Sequence, residues 1–393
     1  MRALPFSARR ALLWGLMALL SACTDSYLPD VLQNPEGFLV VDGFINPQGI
    51  TIFKLTRTYA IGAKTAPPAE AKATVYVEEE SGPRYALRES PAGTYASAGA
   101  LALNPTKRYR LHLNTAGGQE FASDYVAVKI TPPLDQVKWQ ITPDGLGVYL
   151  STHDDTKRTQ YYRLETDETW EITPVYSPAI EYNFGIRNIA VPFPRLCYGN
   201  AHSTVVQLEK TTSYTEDALV DYRVRLLPSN SERLFTRYSL LVQQHALTKE
   251  EYGYWEQLRK NTENLGTLFD PQPSQLTGNV RCLTNPNTPA LGYVGAHSLA
   301  EKRIFIARTD LPRSQRVLSG YESCIPPDTV YLDRPNPPGP PAVILQSAFA
   351  AQQFLPIDPV RNAQNVLIGY TGKDRNCIDC RTRGTVVKPS FWP

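Results

Sequence analysis

The chain has 393 residues, with 40 lysines and arginines against 38 aspartates and glutamates, for a formal charge of +2. So even a balance gives no electrostatic case for nucleic acid or an acidic surface as the partner. Thirty-three prolines and 22 tyrosines are the compositional surplus.

Arg2, Arg9 and Arg10 make a basic start, and Ala11 to Leu20 is an apolar run. It is too short for a helix to cross about 30 Å of hydrocarbon but long enough for the core of a secretory signal. The run ends in Leu20-Ser21-Ala22-Cys23, where two small residues admit a signal peptidase and the cysteine supplies a thiol for a diacylglycerol. This is a lipobox, so residues 1–22 read as a lipoprotein signal and the mature chain as starting at Cys23. Two or three acyl chains, at roughly 0.8 kcal/mol per buried CH₂, hold a protein stably on a membrane. Cleavage removes three arginines and both methionines, Met1 and Met17. The remaining chain of about 370 residues has a formal charge of about −1 and is long enough for two or three domains. No second apolar run reaches transmembrane length. Beyond Cys23 stand Cys197, Cys282, Cys324, Cys377 and Cys380. Five is odd, so an oxidising compartment allows at most two disulfides and leaves one free thiol.

Residues 23–37, with Pro29 and Pro35, read as a tether. The pattern then becomes β. Phe38 to Phe44, Ile50 to Thr58, and the stretch around Val75 and Val77 are expected strands. In Arg108 to Leu113, Tyr109, Leu111 and Leu113 alternate with Arg108, Arg110 and His112, the period of a half-buried strand. Another strand is expected over Tyr125 to Ile130, and Pro132-Pro133 closes the region. Roughly seven short strands in about a hundred residues predict an immunoglobulin-like β-sandwich over residues 38–133.

Residues 134–393 read as a larger β-rich domain. Val137 to Thr142 and Val148 to Ser151 flank Pro143-Asp144-Gly145, a hairpin signal. Further strands are expected at Tyr161 to Thr166, Thr204 to Lys210, Val220 to Leu227 and Arg237 to Ala246. At Thr248 the period changes. Thr248 followed by Glu251 is a capping box, Tyr252, Trp255, Leu258 and Leu265 form one apolar stripe, and Gly266 suits a left-handed stop. One prominent helix is thus predicted near 249–264. Leu268 to Leu283 is irregular and proline-bearing, strands are expected at Leu291 to His297 and Lys302 to Arg308, and Ala342 to Phe354 fits helix or strand. The fold class is mainly β, a sandwich followed by a β-rich domain with one helix.

Thr248-Lys-Glu-Glu-Tyr-Gly-Tyr-Trp255, Phe269-Asp-Pro-Gln-Pro-Ser274, Gly278-Asn279, Leu291-Gly-Tyr293, Lys302-Arg303, Cys377-Ile-Asp-Cys380-Arg, Gly384-Thr385 and Lys388-Pro-Ser-Phe-Trp392 stand in this order. Together they resemble an uncharacterised family of outer-membrane lipoproteins, domain of unknown function 4249, over almost the whole mature chain. The resemblance implies an accessory lipoprotein, commonly encoded beside TonB-dependent receptors that carry a carboxypeptidase-like regulatory domain. It brings no catalytic residues with it.

Cys377-Ile-Asp-Cys380 has redox or zinc spacing, but no helix is predicted around it, which disfavours a thioredoxin-like role. A structural disulfide joining this tail to Cys324, or closing within it, is preferred to zinc held with Cys324 or His297. A Cys197 to Cys282 bridge would close about 85 residues and stabilise by about 4–5 kcal/mol. His153-Asp154-Asp155 could ligate a metal or serve as base and orienting acid, yet after a strand it reads more simply as a polar turn. Asp310, Asp328 and Asp333 lack ligand spacing. No nucleophile elbow, zinc-protease helix, P-loop or dinucleotide fingerprint occurs, so no enzyme, metal or cofactor is expected. Tyrosine and tryptophan offer contact area on a β scaffold, although Trp139, Trp170 and Trp255 read as core. The loop bearing Phe269, Asp270, Gln272, Gln275 and Asn279 is the expected contact surface. The overall expectation is a lipid-anchored outer-membrane protein, non-catalytic, that serves a TonB-dependent receptor as accessory or binding subunit. A surface glycan-binding module and an envelope enzyme are the alternatives.

Overall fold

A computed structural model describes residues 37–59, 65–263, 276, 278–333 and 339–393. The signal, Cys23, Gly266 and loop residues Phe269, Asp270, Gln272 and Gln275 lie outside the described residues.

The first part of the chain forms β1 (Leu39–Phe44), β2 (Ile50–Arg57), β3 (Thr74–Glu79), β4 (Arg84–Glu89), β5 (Thr94–Ala100), β6 (Arg108–Asn114), β7 (Glu120–Ser123) and the short β8 (Val126–Ala127). The alternation in β6 places Tyr109, Leu111 and Leu113 in a core with Leu39, Val41, Phe53, Leu55, Val75 and Val77. The opposite face of β6 is not simply wet. His112 is buried there beside Glu78, which accepts from Arg84 and Arg110. Burial opposes the charge of Glu78, but these donors hold its carboxyl down at about 2.

Next come β9 (Leu134–Thr142) and β10 (Gly145–His153), with Pro143-Asp144 as the hairpin turn. After them run β11 (Tyr161–Ile172), β12 (Ile180–Tyr182), β13 (Ile186–Asn188), β14 (Cys197–His202), β15 (Gln207–Lys210), β16 (Ala218–Leu227) and β17 (Arg237–Ala246). Helix α1 covers Lys249–Glu263, followed by β18 (Val280–Cys282), β19 (Ala290–Leu291) and β20 (Leu299–Ala307). The sheet β16-β10-β9 faces the sheet β14-β11-β17-β20. Val148, Leu150, Leu164, Tyr238, Leu240, Val242 and Ile306 fill the space between them. The chain ends in β21 (Asp328–Tyr331), α2 (Pro341–Phe349), β22 (Phe354–Arg361) and β23 (Leu367–Asp374). The ambiguous stretch Ala342 to Phe354 is therefore mostly helix, begun by Pro341 in the first turn where its missing N–H costs nothing. Among the described residues no helix is long and apolar enough to cross a membrane.

The first region is not closed at residue 133. Its strands form one hydrogen-bonded path, β18-β7-β6-β3-β4-β5-β2-β1-β19, in which β4 pairs with β3 near Tyr85 and with β5 at Arg88 and Glu89. Both ends of the path come from residues beyond 133. β18 pairs with β7, β19 runs parallel to β1, and Val280, Cys282, Val294 and Ala296 belong to the first core.

A tyrosine-lined cleft and the joint beside it

Helix α1 begins as the capping residues require, with the Glu251 amide donating to Thr248 Oγ1 at 3.2 Å. The reciprocal half of the box is absent. Glu251 turns its carboxylate inward instead, where it is 3 % exposed and lies 3.4 Å from His297 Nε2. The expected stripe is narrower than the sequence pattern. Tyr252 is buried against Leu208 and Leu247, whereas Trp255 is half-buried at the rim, stacked under Arg163 at 4.0 Å, and Leu258 is half-buried. Tyr252, not Trp255, is the central knob.

The other side of the helix was not singled out by the apolar pattern because its residues are polar or amphipathic. Glu250, Tyr254 and Gln257, spaced i, i+4 and i+7, share that side. Across from them lie Arg108 of β6, Asp124, Tyr125 and β8, together with Gly278, Asn279 and Tyr293, enclosing a cleft of about 770 Å³. The Tyr254 and Tyr293 rings are 5.4 Å apart, and the Arg110 guanidinium covers Tyr125 at 4.5 Å. Burial raises the Tyr254 phenol, with the Asp42 charge adding to it. Burial pushes Tyr293 up to about 12 against a hydrogen bond with Thr248. Both phenols stay protonated, so the cleft offers neutral aromatic area with hydroxyl donors, flanked by Arg108, Asp124 and Glu250. The described lining contains no imidazole, thiol or serine hydroxyl. Such a surface can grip a ligand through its rings and hydroxyls.

Of the expected contact loop, Asn279 is described, and its place corrects its expected role. It is 4 % exposed, its Oδ1 accepts from the Val294 amide at 2.8 Å and its Nδ2 donates to the Val294 carbonyl at 3.0 Å. Its own carbonyl accepts from the Asp124 amide. Asn279 is a clamp in the cleft floor whose polar atoms are already committed, not a free contact.

The cysteines pair as Cys197–Cys380 and Cys324–Cys377, and Cys282 is a buried free thiol. The tail is joined to Cys324 as preferred, but Cys377 and Cys380 do not close on each other. Cys282 cannot reach Cys197 because β18 holds it in the first core. Its sulfur lies 3.3 Å from Thr284 Oγ1.

His153-Asp154-Asp155 is a polar turn. Asp154 accepts from the amides and hydroxyls of Thr156 and the amide of Arg158, and from Thr159 Oγ1, while His153 Nδ1 lies 2.7 Å from Asp135. Asp310 caps the Ala307 amide, and Asp328 pairs with Lys373. Trp170 is half-buried below Arg233, and Trp139 lies at the edge of the second core.

Beneath α1, the first sheet meets the second sandwich at a polar joint. Thr131 receives the Ala246 amide on Oγ1, gives that hydroxyl to the Ser298 carbonyl, and donates its amide to Ser298 Oγ. Gln244 Nε2 donates to the Pro132 carbonyl, and the His297 amide donates to that of Ile45. In the middle lie two imidazoles, His245 and His297, at 5.1 Å and nearly perpendicular, with Phe44 stacked on His297 at 4.3 Å.

A family model described as Domain of unknown function (DUF4249) matches residues 24–303. The chain belongs to this family. The match takes in the cleft and the joint but stops before Cys377, Cys380 and Trp392, so the tail motifs fall outside it. No curated protein matches the sequence.

Proposed function

We propose that this chain is a lipid-anchored outer-membrane protein that serves a TonB-dependent uptake system as a non-catalytic binding subunit, and that its partner engages the cleft beside α1. The observation that carries the reading is the cleft itself, three tyrosines with charges of both signs between α1 and the strands of the first sheet. The lipobox at Cys23 supports the anchor, and the family match beginning at Thr24, directly after it, is consistent with that processing. Partner chemistry follows the family resemblance. A glycan is the second reading, favoured by the tilted Tyr254 and Tyr293 rings.

The test is purification from native membranes in mild detergent, with mass spectrometry of co-purifying proteins, on wild type and on Glu250→Arg combined with Gln257→Arg. The expected result is a TonB-dependent receptor bound to wild type and lost from the variant, with the melting temperature changed by no more than about 2 °C, as for surface substitutions. A receptor retained equally by the variant refutes the cleft as its site. Retardation by soluble polysaccharide that disappears in the variant, with no receptor found, selects the glycan reading. Cys23→Ala should release the protein from the membrane fraction, and a variant that stays bound refutes the anchor.

A further inference from the structure

Twelve buried side-chain atoms among the described residues make no hydrogen bond within the chain, and seven of them lie in one place. They are both ring nitrogens of His245, both of His297, Glu251 Oε2, Arg163 Nε and Trp255 Nε1. Leaving a polar group buried and unsatisfied costs stability, so a cluster of them marks a junction that is not built for greatest stability. The groups come from four separate parts of the chain. His245 belongs to β17, and its register neighbour on β11 is Arg163. Also from β11, Glu165 Oε2 lies 3.4 Å from His245 Nε2. His297 follows β19, Glu251 enters from α1, and β1 supplies only the apolar ring of Phe44. These are the charged and titratable groups that face His245.

We propose that His245 is the proton sensor of the joint between the first sheet and the second sandwich, and that acidification loosens this joint. One proton from solvent, taken up on the imidazole, creates a cation 3 % exposed, next to the Arg163 guanidinium and with a single carboxylate, Glu165, in reach. Burial is the larger effect and holds His245 down at about 4 rather than 6.5, despite the attraction of Glu165. The closed joint therefore binds fewer protons than an opened one. Its stability from this group is complete above pH 6.5 and falls as pH drops towards 4. Glu165 is held at about 2 by His245 and the Arg163 charge, against burial, so its own loss begins only below pH 4.5 and does not explain a change above it. A difference between 6.5 and 4 shifts the ratio of open to closed joint by about 300-fold at most.

The amides of Lys129, Thr131, Ala246, His297 and Ser298 cross or flank the joint, and those of Val75 and Val77 lie in a strand of the first core. Hydrogen-exchange protection factors on the mature protein, measured from pH 7 to pH 4, should fall at the first set by ten-fold to about 300-fold and stay level at the second. His245→Gln, which cannot take up the proton, should flatten the fall. A wild-type joint whose protection does not change, or a His245→Gln protein with the same fall as wild type, overturns the proposal. The chain has five histidines, so the ring signal of His245 can be titrated directly in wild type by NMR if the variant does not fold. A midpoint at or above 6.5 also overturns it.

Discussion

Gly295 sits where the joint has no room for a side chain, and Gly295→Ala gives the sharpest test of the packing. A Cβ built there would overlap the Glu251 carboxylate. Neither side can easily withdraw. The Gly295 carbonyl accepts from the Ile45 amide at 2.9 Å, and the preceding residue, Val294, is clamped on both its amide and its carbonyl by Asn279. Glu251 is anchored by the helix start at Thr248 and is surrounded. The methyl group should therefore cost about 1–3 kcal/mol, the range for overfilling a packed interior. Glu251→Ala removes the obstacle together with a buried carboxylate, one oxygen of which makes no hydrogen bond, so in that background Gly295→Ala should cost less than about 0.5 kcal/mol. The coupling in the double-mutant cycle should then be at least about 0.5 kcal/mol. Urea denaturation of the four proteins, followed by tryptophan fluorescence, measures it. If Gly295→Ala costs the same with and without the Glu251 carboxylate, the proposed contact is wrong.

Asn279→Ala should cost about 2–4 kcal/mol, because it strands both backbone polar groups of the buried residue Val294; unfolding within about 0.5 kcal/mol of wild type would show that the clamp is idle. Replacing Cys197 and Cys380 by serine should cost up to about 5 kcal/mol, since the Cys324–Cys377 bridge shortens the loop that the outer bridge closes from 183 residues to about 130. Non-reducing peptide mapping that finds Cys282 in a disulfide would overturn the pairing.

Local pattern was readable wherever one face of an element meets one core. Tyr109, Leu111 and Leu113 gave β6, and Tyr238, Leu240 and Val242 gave β17, because the apolar side chains of each strand share one face on a core, although His112, Ser239 and His245 are buried on the opposite faces. Thr248 and Glu251 marked the start of α1 correctly. What the same two residues could not reveal is that Glu251 serves His297 rather than its own helix, since the choice depends on a segment more than forty positions away. The candidate cleft was illegible for a related reason. Glu250, Tyr254 and Tyr293 stand in the motifs that carry the family resemblance, but those motifs name no site, and the cleft comes from Tyr125 and Tyr293, which only the fold brings opposite the helix. Strands of two or three residues such as β18 and β19 are too short for any period to register.

Those two short strands also impose an order of events on synthesis. The sheet next to the N-terminus offers β7 and β1 as open edges until residues 280–291 arrive, and its core lacks Val280, Cys282, Val294 and Ala296 until then. As the chain emerges, the first hundred described residues must wait, with exposed backbone and an unfilled interior, for about 150 further residues to follow. A fragment ending at residue 133 should accordingly aggregate through those edges rather than fold, and any cut meant to isolate the first sheet and its core must carry the segment around 280–298 with it.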